Sequence, residues 1–232
     1  MPLLEVRGLR VEYRPRHPVV DGVDLVVRPG ETLGLLGESG SGKSTIGHAI
    51  VGLVRPAAGR ILFRGEDITH ATARRRRELS THLQIVFQDP HGSLNPSRTV
   101  GSTLAEPLRV VRRLPRRAAS ARVDAVLERV GMSPAAASRY PGAFSGGQHQ
   151  RIAIARALVL EPDLVVCDEP TSALDLSVQA QILNLLLDLQ QQLGLSYLFI
   201  SHDVDVVRFV CHRTVVLRGG RIVEQAPVRC SE

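Results

Sequence analysis

The glycine-rich segment that organises this chain is Gly37-Glu38-Ser39-Gly40-Ser41-Gly42-Lys43-Ser44-Thr45. It follows an apolar run at residues 32–36 and leads into a helix that we predict from residue 43 to about residue 53. Its first eight residues fit the phosphate-binding pattern G-x-x-x-x-G-K-[ST] at every fixed position. Glycines let successive N–H groups point at one anion, and the start of the helix adds further N–H groups and a positive dipole end. The segment therefore predicts a strand, a phosphate-binding loop and a helix.

Lys43 is the only lysine of the chain, and all its other basic residues except histidine are arginine. An ammonium is a compact, mobile charge that suits the β- and γ-phosphates, whereas a guanidinium is a planar fork. The hydroxyl of Ser44 suits Mg²⁺. The alternative is a Gly/Ser-rich turn before an ordinary helix, which the preceding apolar run disfavours.

Length and composition suit either one large α/β domain or a domain with a small subdomain. The chain has 232 residues, and its hydrophobic fraction of 44% is enough for a substantial core. Its net charge of +6 permits anionic ligands or a membrane-surface partner. Aromatic residues make up 3% and Trp is absent, which leaves little material for base stacking. We therefore expect no nucleic-acid partner.

The cysteines and the apolar runs indicate a cytosolic location. Cys167, Cys211 and Cys230 fit no zinc or disulfide pattern, so we expect reduced thiols. The N-terminus does not resemble a signal peptide. No apolar run reaches the roughly 18 residues of a spanning helix, so we expect no transmembrane segment.

The pattern of apolar residues predicts an antiparallel sheet, a nucleotide-binding core and a helical insertion. Strands are predicted at 3–7, 9–13, 23–27, 59–63, 85–87, 164–167 and 197–200, with a final hairpin at 214–217 and 221–224. Short helices broken at Pro107, Pro115, Gly131 and Pro134 are predicted over 101–140. Longer helices are predicted at 146–158 and 179–193. The four arginines at 74–77 are predicted to lie on a solvated helix face.

Further motifs follow the phosphate loop in a fixed order. They are Gln88, then Ser145-Gly146-Gly147-Gln148 before a helix, then Leu164-Val165-Val166-Cys167-Asp168-Glu169, then Ser172-Ala173-Leu174-Asp175, and then His202 after the next strand. Together with the phosphate loop, this order resembles the ATPase subunits of ABC transporters over nearly the whole chain. The resemblance implies a P-loop NTPase (RecA-like) α/β fold with an N-terminal antiparallel β-subdomain and an inserted α-helical subdomain. We expect residues 1–232 to form one nucleotide-binding domain, with its core at about 1–88 and 159–232 and its helical subdomain at about 89–158.

The resemblance also implies roles for individual residues. Asp168 would hold Mg²⁺, and Glu169 would polarise the attacking water. His202 would contact the γ-phosphate, and Gln88 would reach Mg²⁺ and water. Tyr13 would stack on adenine. Taken singly, the acids could be a helix cap, and the histidine and the tyrosine could be structural.

The resemblance implies a second role for Ser145-Gly146-Gly147-Gln148. A serine hydroxyl, two glycine backbones and a helix N-terminus form an anion cradle. In the family this cradle completes the ATP site of the opposite subunit in a head-to-tail dimer with two ATP molecules. Phe144 stands where leucine is commoner, and His149 stands where a basic or polar residue is usual. Neither change removes a phosphate ligand, so we expect the cradle to work.

The segment around Gln88 points to a subfamily. Residues 87–100, FQDPHGSLNPSRTV, look like the F-Q-D-P-x-x-S-L-N-P-x-x-T-V stretch of importers for oligopeptides, dipeptides and nickel. The implied partners are permease subunits, a second ATPase subunit that is identical or different, and indirectly a solute-binding protein. The implied location is the cytoplasmic face of the membrane. Relatives usually continue past the hairpin at Val223-Glu224-Gln225, so both a truncated and a naturally short chain remain open here.

Two other functions would require features that differ from those of this sequence. A non-transport ABC ATPase that acts on DNA or ribosomes would carry a long coiled coil or two cassettes, whereas the interval from Gln88 to Ser145 is short and broken by prolines. A regulatory subunit without activity would have a degenerate site, whereas Lys43, Asp168, Glu169 and His202 are intact.

Overall fold

The computed structural model describes residues 1–14, 17–89, 92 and 94–227. The strands are β1 Leu4–Arg14, β2 His17–Val27, β3 Thr32–Gly37, β4 Ala58–Phe63, β5 Glu66–Asp67, β6 Leu83–Val86, β7 Leu164–Asp168, β8 Ser196–Ser201, β9 Arg213–Arg218 and β10 Arg221–Pro227. The helices are α1 Lys43–Val51, α2 Ala73–Leu79, α3 Val100–Val110, α4 Arg116–Arg129, α5 Gly146–Leu158, α6 Leu176–Leu193 and α7 Val204–Val210. Two short 3-10 helices are η1 Pro134–Ser138 and η2 Pro141–Ala143.

The described chain divides into two compact units. The first, called here the nucleotide unit, contains Met1–Ile85, Asp163–Glu169 and Gly194 onward. The second, called here the helical unit, contains Val86–Pro162 and Pro170–Leu193.

The nucleotide unit begins with an antiparallel sheet in the order β2-β1-β4-β5. The two predicted strands at 3–7 and 9–13 are one strand, β1, whose pairing with β2 shifts register between Val6 and Leu9. Gly8 lies between them with a φ of 56°, a left-handed conformation that glycine adopts at a bulge without steric cost. The bulge explains why the alternation of apolar residues changes phase there although the strand continues.

The second sheet of the nucleotide unit has the order β10-β9-β3-β8-β7-β6. Strands β9, β3, β8 and β7 pair in parallel. Every residue of β7 and β8 is buried, as expected for strands covered on both faces. Because parallel strands end at the same edge of a sheet, the residues that follow β3, β7 and β8 lie along one edge. The phosphate loop, Glu169 and His202 are these residues, and Asp168 is the last residue of β7.

In the helical unit, α3 differs from the prediction. We expected a break at Pro107, but α3 runs through it from Val100 to Val110. Proline removes one helical hydrogen bond. The buried side chains of Val100, Leu104 and Leu108 anchor one face of α3, and this packing outweighs the missing bond.

The prediction of a solvated arginine face on α2 is wrong for one residue. Arg74 and Arg75 form ion pairs with Glu78 on the surface. Arg76 turns inward, where its guanidinium donates to the carbonyls of Ile50, at 3.3 Å, and of Ile68, at 2.7 Å. It thereby satisfies an unpaired carbonyl at the C-terminal end of α1.

Two cysteines lie in the described residues, and both are buried free thiols. Cys167 is in β7, and Cys211 follows α7 with its Sγ placed 2.9 Å from where a Cβ on Gly34 would be. Burial raises the pKa of both thiols above their usual range. Cys230 falls outside the described residues. Among the described helices, none is long and apolar enough to cross a membrane.

Candidate functional site

The phosphate loop connects β3 to α1 at the shared edge of the parallel strands. Gly40 and Gly42 have φ values of 79° and 105°, which non-glycine residues adopt only with strain. A Cβ on Gly42 would lie 2.6 Å from the carbonyl oxygen of Val19. The loop is therefore both left-handed and tightly packed at Gly42, which explains the glycine there. The nine residues predicted to bind phosphate, 37–45, all lie in this loop and the first turn of α1.

Lys43 points back into the loop rather than into solvent. It is only 4% exposed, and its Nζ donates to the carbonyls of Gly37, at 2.7 Å, and of Glu38, at 2.8 Å. Burial lowers the pKa of this ammonium, and the nearby carboxylates of Glu169 and Asp168 act in the opposite direction. The only ammonium side chain of the chain is thus held at the centre of the loop.

Three observations indicate that this loop is suited to bind a phosphate. No side chain of the described residues caps the N-terminus of α1, and its first turn holds no acidic residue. The Ser41 Oγ is buried and has no hydrogen-bond partner in the described part of the chain. Buried polar atoms normally have partners, so this hydroxyl lacks one that a bound phosphate oxygen would supply. The positive helix end and the ammonium supply the matching charge.

Asp168 and Ser44 meet at the same edge. The Ser44 hydroxyl donates to Asp168 Oδ1 at 2.8 Å. Burial raises the pKa of Asp168, and the Ser44 hydrogen bond partly offsets this. A hydroxyl and a carboxylate fit the way Mg²⁺ binds with phosphates and waters, rather than in a cage of protein ligands. Accordingly, the described residues contain no cluster of three or more His, Cys, Asp or Glu that could hold a metal alone.

His48 is a neighbour of Asp168 that the sequence analysis missed. Its Nε2 lies 3.5 Å from Asp168 Oδ2, on the carboxylate oxygen that Ser44 does not bond. His48 is four residues after Ser44 on α1, and residues at this spacing share one helix face. That spacing was the available signal, because the face of α1 that carries Ser44 had to face β7.

Glu169 and His202 form a pair beside Asp168. Glu169 has a φ of 46°, an uncommon conformation for a residue other than glycine, and its N–H donates to the Ile200 carbonyl at 3.0 Å. His202 Nδ1 lies 3.2 Å from Glu169 Oε1. The Glu169 side chain is 11% exposed, whereas that of His202 is 52% exposed. Backbone strain of this kind clusters at functional sites, where neighbouring contacts hold it in place.

Tyr13 lies at the end of β1 and is 61% exposed. Its hydroxyl is 3.4 Å from the Thr45 Oγ1 in the first turn of α1. An exposed ring fixed beside the phosphate loop is available to a flat ligand. The predicted stacking on adenine remains a prediction.

In the helical unit, Ser145 caps α5. Its Oγ accepts from the Gln148 N–H at 3.4 Å, and the Gln148 side chain accepts from the Ser145 N–H at 3.0 Å, which completes a capping box. His149 Nδ1 donates to the Ser145 carbonyl at 2.9 Å. A Cβ on Gly147 would lie 2.6 Å from Val178 Cγ1 of α6, whereas a Cβ on Gly146 would meet nothing nearer than 3.8 Å. The serine hydroxyl stays exposed and can still donate its proton to an anion.

Gln88 also belongs to the helical unit and is exposed. Its predicted role toward Mg²⁺ stays a prediction. Of the subfamily segment at 87–100, Pro90, His91 and Ser93 fall outside the described residues. Leu94 is 4% exposed, so its side chain is not available as a contact surface.

Comparisons with known proteins agree on one family. The family described as ABC transporter matches residues 20–172, more than half of the chain. A protein of Brucella abortus, provisionally named a peptide import ATP-binding protein, is 56% identical over 228 residues, which are 96% of this chain and 68% of that protein. The solved structure of cbiO1 from Clostridium perfringens, part of the ABC transporter complex cbiONQ, has a TM-score of 0.88 at 32% identity and covers 98% of this chain and 89% of its own. The dimeric cassette MJ0796 bound to ADP and Pi has a TM-score of 0.87 at 27% identity, covering 98% of this chain and 100% of its own.

Proposed function

The chain belongs to the ABC transporter family as an ATP-binding subunit, and we propose that it hydrolyses ATP to drive the import of peptides. The likeness to ATPase cassettes of known structure supports the ATPase activity, and the relative from Brucella abortus supports peptides as the cargo class. We further propose that residues 1–232 act as one nucleotide-binding domain, with a core at about 1–88 and 159–232 and a helical subdomain at about 89–158.

The observation that carries the proposal is the row of side chains at the edge of the parallel strands. Lys43 supplies positive charge for the phosphates from the loop after β3. Ser44 and Asp168, joined at 2.8 Å, would hold Mg²⁺, which supplies charge neutralisation on the phosphate oxygens when bound. Glu169, beside them, would accept a proton from the attacking water.

His202 would orient Glu169 in this scheme. Its Nδ1 lies 3.2 Å from the Glu169 carboxylate, and its exposed ring leaves Nε2 available to a phosphate oxygen. Glu169 is mostly buried, and its left-handed backbone fixes the direction in which its side chain leaves β7. A carboxylate held in place by its backbone and a neighbouring ring needs little reorganisation when the reaction begins.

We propose that two subunits act head to tail, so that Ser145 of one subunit faces the ATP held by the phosphate loop of the other. The exposed, capped N-terminus of α5 supports this, because the Ser145 hydroxyl can still donate its proton to an anion. A dimeric cassette among the structural neighbours also supports it. The second subunit is either identical or different, since both arrangements satisfy this geometry.

We propose that a groove of the helical unit receives a cytoplasmic segment of a permease at the membrane surface. The groove lies between α3 and α4, has a volume of about 1130 Å³, and is lined by Ser102, Ala105, Arg109, Val110, Arg113 and Arg116 among others. Val110 is 60% exposed on its wall. An exposed apolar side chain among small residues and arginines fits a short amphipathic segment with acidic side chains.

A cross-linking experiment tests this groove. Val110→Cys, in the assembled transporter, should cross-link to a permease subunit, whereas a cysteine at the equally exposed Leu53 of the nucleotide unit should not. Arg109→Glu should lower transport-coupled ATPase activity with ATP affinity unchanged. Cross-links from Leu53→Cys alone would show that the permease binds elsewhere.

The cargo is tested with purified transporter in proteoliposomes. The proposal predicts that a solute-binding protein loaded with an oligopeptide stimulates ATP hydrolysis, and that Ni²⁺ or a free amino acid does not. Stimulation by Ni²⁺ alone would show that the transported solute is a metal ion and not a peptide, and it would leave the ATPase assignment intact.

A non-transport ATPase acting on DNA or ribosomes is the alternative. In the described residues between Gln88 and Ser145, the longest helix is α4, with 14 residues, and it is no coiled coil. This interval therefore supports the transport function over the alternative.

A further inference from the structure

The turn of the C-terminal hairpin lies against the phosphate loop. Gly219 and Gly220 join β9 to β10. The Gly220 N–H donates to the Ser41 carbonyl of the loop at 3.2 Å, and the Gly220 carbonyl accepts from the Asp21 N–H of β2 at 2.9 Å. A backbone group some 180 residues away in sequence thus bonds directly to the phosphate loop.

The two glycines of this turn differ in the space around them. Gly220 has a φ of 77°, and a Cβ there would lie 2.6 Å from the Val19 carbonyl oxygen. Gly219 has a φ of 54°, and a Cβ there would meet nothing within 4 Å. Both positions favour glycine for their backbone angle, but only Gly220 needs it for close packing.

The same carbonyl oxygen of Val19 also crowds Gly42. A Cβ on Gly42 would lie 2.6 Å from it, which is the distance found for Gly220. In β9, just before the turn, the Leu217 carbonyl oxygen would lie 2.4 Å from a Cβ on Gly37. The hairpin, β2 and both ends of the phosphate loop therefore meet backbone against backbone. A backbone carbonyl cannot swing aside as a side chain can by changing its rotamer. A shift of any one of these segments would therefore displace the others.

The bond to Ser41 fixes the direction of an N–H in the loop. In a trans peptide the carbonyl of Ser41 and the N–H of Gly42 lie in one plane and point in opposite directions. A Gly220 N–H that holds the Ser41 carbonyl on the hairpin side therefore turns the Gly42 N–H toward the opposite side, away from the hairpin. Preorganised N–H groups bind an anion without a cost for reorganisation.

We propose that Gly220 is a positioning residue for the phosphate loop, and that the hairpin turn sets the affinity of this chain for ATP. This inference rests on the proposed function, because it assigns a second element to the same nucleotide site. Gly220 itself does not touch the nucleotide. It acts through the orientation of the Ser41–Gly42 peptide.

Gly220→Ala and Gly219→Ala form a matched pair of variants. Both place alanine at a positive φ, so both lose comparable stability from backbone strain. We expect Gly220→Ala to weaken ATP binding by about tenfold or more, because small displacements of binding groups are costly. We expect Gly219→Ala to stay within about twofold of the wild type. In steady-state assays, KM for ATP should rise in Gly220→Ala by a larger factor than kcat falls.

Calorimetric titration with ATP and thermal unfolding, measured on both variants, separate the outcomes. Equal ATP affinity in the two variants would overturn the inference, even if Gly220→Ala is the less stable protein. A wild type that does not bind ATP would instead overturn the proposed function.

A measurement on the wild type covers the case in which Gly220→Ala does not fold. Hydrogen exchange followed by NMR should show the Gly220 amide exchanging more slowly than the Gly219 amide, and more slowly again when MgATP is bound. A Gly220 amide that exchanges as fast as that of Gly219, with or without MgATP, would contradict the inference.

Discussion

Two helices of this chain begin at glycine-rich anion motifs, and their N-termini are built differently. α1 begins after Gly42 with no side-chain cap from the described residues and with Lys43 as its first residue. α5 begins after Ser145 with a complete capping box. The first turn of any helix leaves N–H groups without helical partners. In α5 the Ser145 side chain accepts a hydrogen bond from one of these N–H groups, whereas in α1 no side chain of the described residues caps them.

We interpret this difference as follows: the N-terminus of α1 is completed by a ligand, whereas the N-terminus of α5 is already stable without one. At α1, the buried Ser41 hydroxyl lacks a partner in the described residues, and burial lowers the pKa of Lys43. A bound phosphate would relieve both, so the loop gains stability from its ligand. At α5, Ser145 and Gln148 satisfy one another, so the helix is stable before any partner arrives. We therefore expect α1 to bind nucleotide first and α5 to engage it only when a second subunit docks.

Removing the ammonium at α1 should have the largest effect. Lys43→Ala deletes the only side-chain ammonium of the chain, which is held at the loop's centre, and we expect ATP affinity to fall by about 10²–10³-fold. Calorimetric titration measures this, with Arg74→Ala as a control that removes an exposed cation of α2. Unchanged ATP binding in Lys43→Ala would refute the phosphate-loop assignment.

Removing the charge of Glu169 should affect the chemistry and leave binding intact. Glu169→Gln keeps the shape of the side chain but cannot accept a proton from water, so kcat should fall by about 10² or more. We expect an ATP-bound dimer to accumulate, detectable by size-exclusion chromatography. Glu224→Gln, at an exposed position of β10, is the control and should keep wild-type turnover. Near-normal turnover in Glu169→Gln with the permease present would show that another residue accepts the proton from water.

At α5, removing the Ser145 side chain should not affect the binding of ATP to the monomer. Ser145→Ala removes the cap and the proposed ligand, which should cost about 1 kcal/mol of unfolding free energy. ATP affinity of the monomer should not change, whereas ATP hydrolysis by the dimer should fall by about tenfold. Ser133→Ala removes a comparable cap from η1 and should lower stability alone. If Ser145→Ala weakened ATP binding by the monomer, the two N-termini would not have the separate tasks assigned to them.

The smallest effect concerns the stability of the empty site. Burial raises the pKa of Asp168, so the folded protein holds this proton more tightly than the unfolded chain does. Stability from this group is therefore present below its unfolded pKa and lost as the pH rises through its folded pKa. At pH 7, Asp168→Asn should raise the Tm of the nucleotide-free protein by about 2–4 °C, which corresponds to ~1 kcal/mol at this length. The same variant should lose the additional stabilisation that Mg²⁺ gives with ATP, and a lower Tm at pH 7 would contradict this account.

The sequence predicted those parts of the fold that depend on local patterns. Helix α5 runs over Gly146–Leu158 as predicted, because the serine cap and the apolar spacing mark both its ends. The strands before the phosphate loop and before Asp168 were also recognised, since both are continuous apolar runs. The break predicted at Pro107 was wrong, because packing of α3 outweighed a local preference.

Contacts between distant segments could not be predicted in this way. The inward turn of Arg76 depends on carbonyls at the end of α1 and at Ile68, which no local pattern indicates. The bond from Gly220 to Ser41 joins segments whose approach follows only from the sheet order. The motif predicted Asp168 and Glu169 as site residues, but the left-handed backbone of Glu169 was visible only in the structure.

Hydrogen exchange tests the contrast between the two N-termini most directly. Glu169→Gln protein, kept dilute enough to remain monomeric, would be compared with and without MgATP. The account predicts that exchange slows in the segment 37–46 and stays unchanged in the segment 145–150. Raising the protein concentration until dimers form should then slow exchange in the second segment. Slowed exchange at 145–150 in the monomer, or none at 37–46, would contradict the central claim that α1 alone holds the nucleotide first.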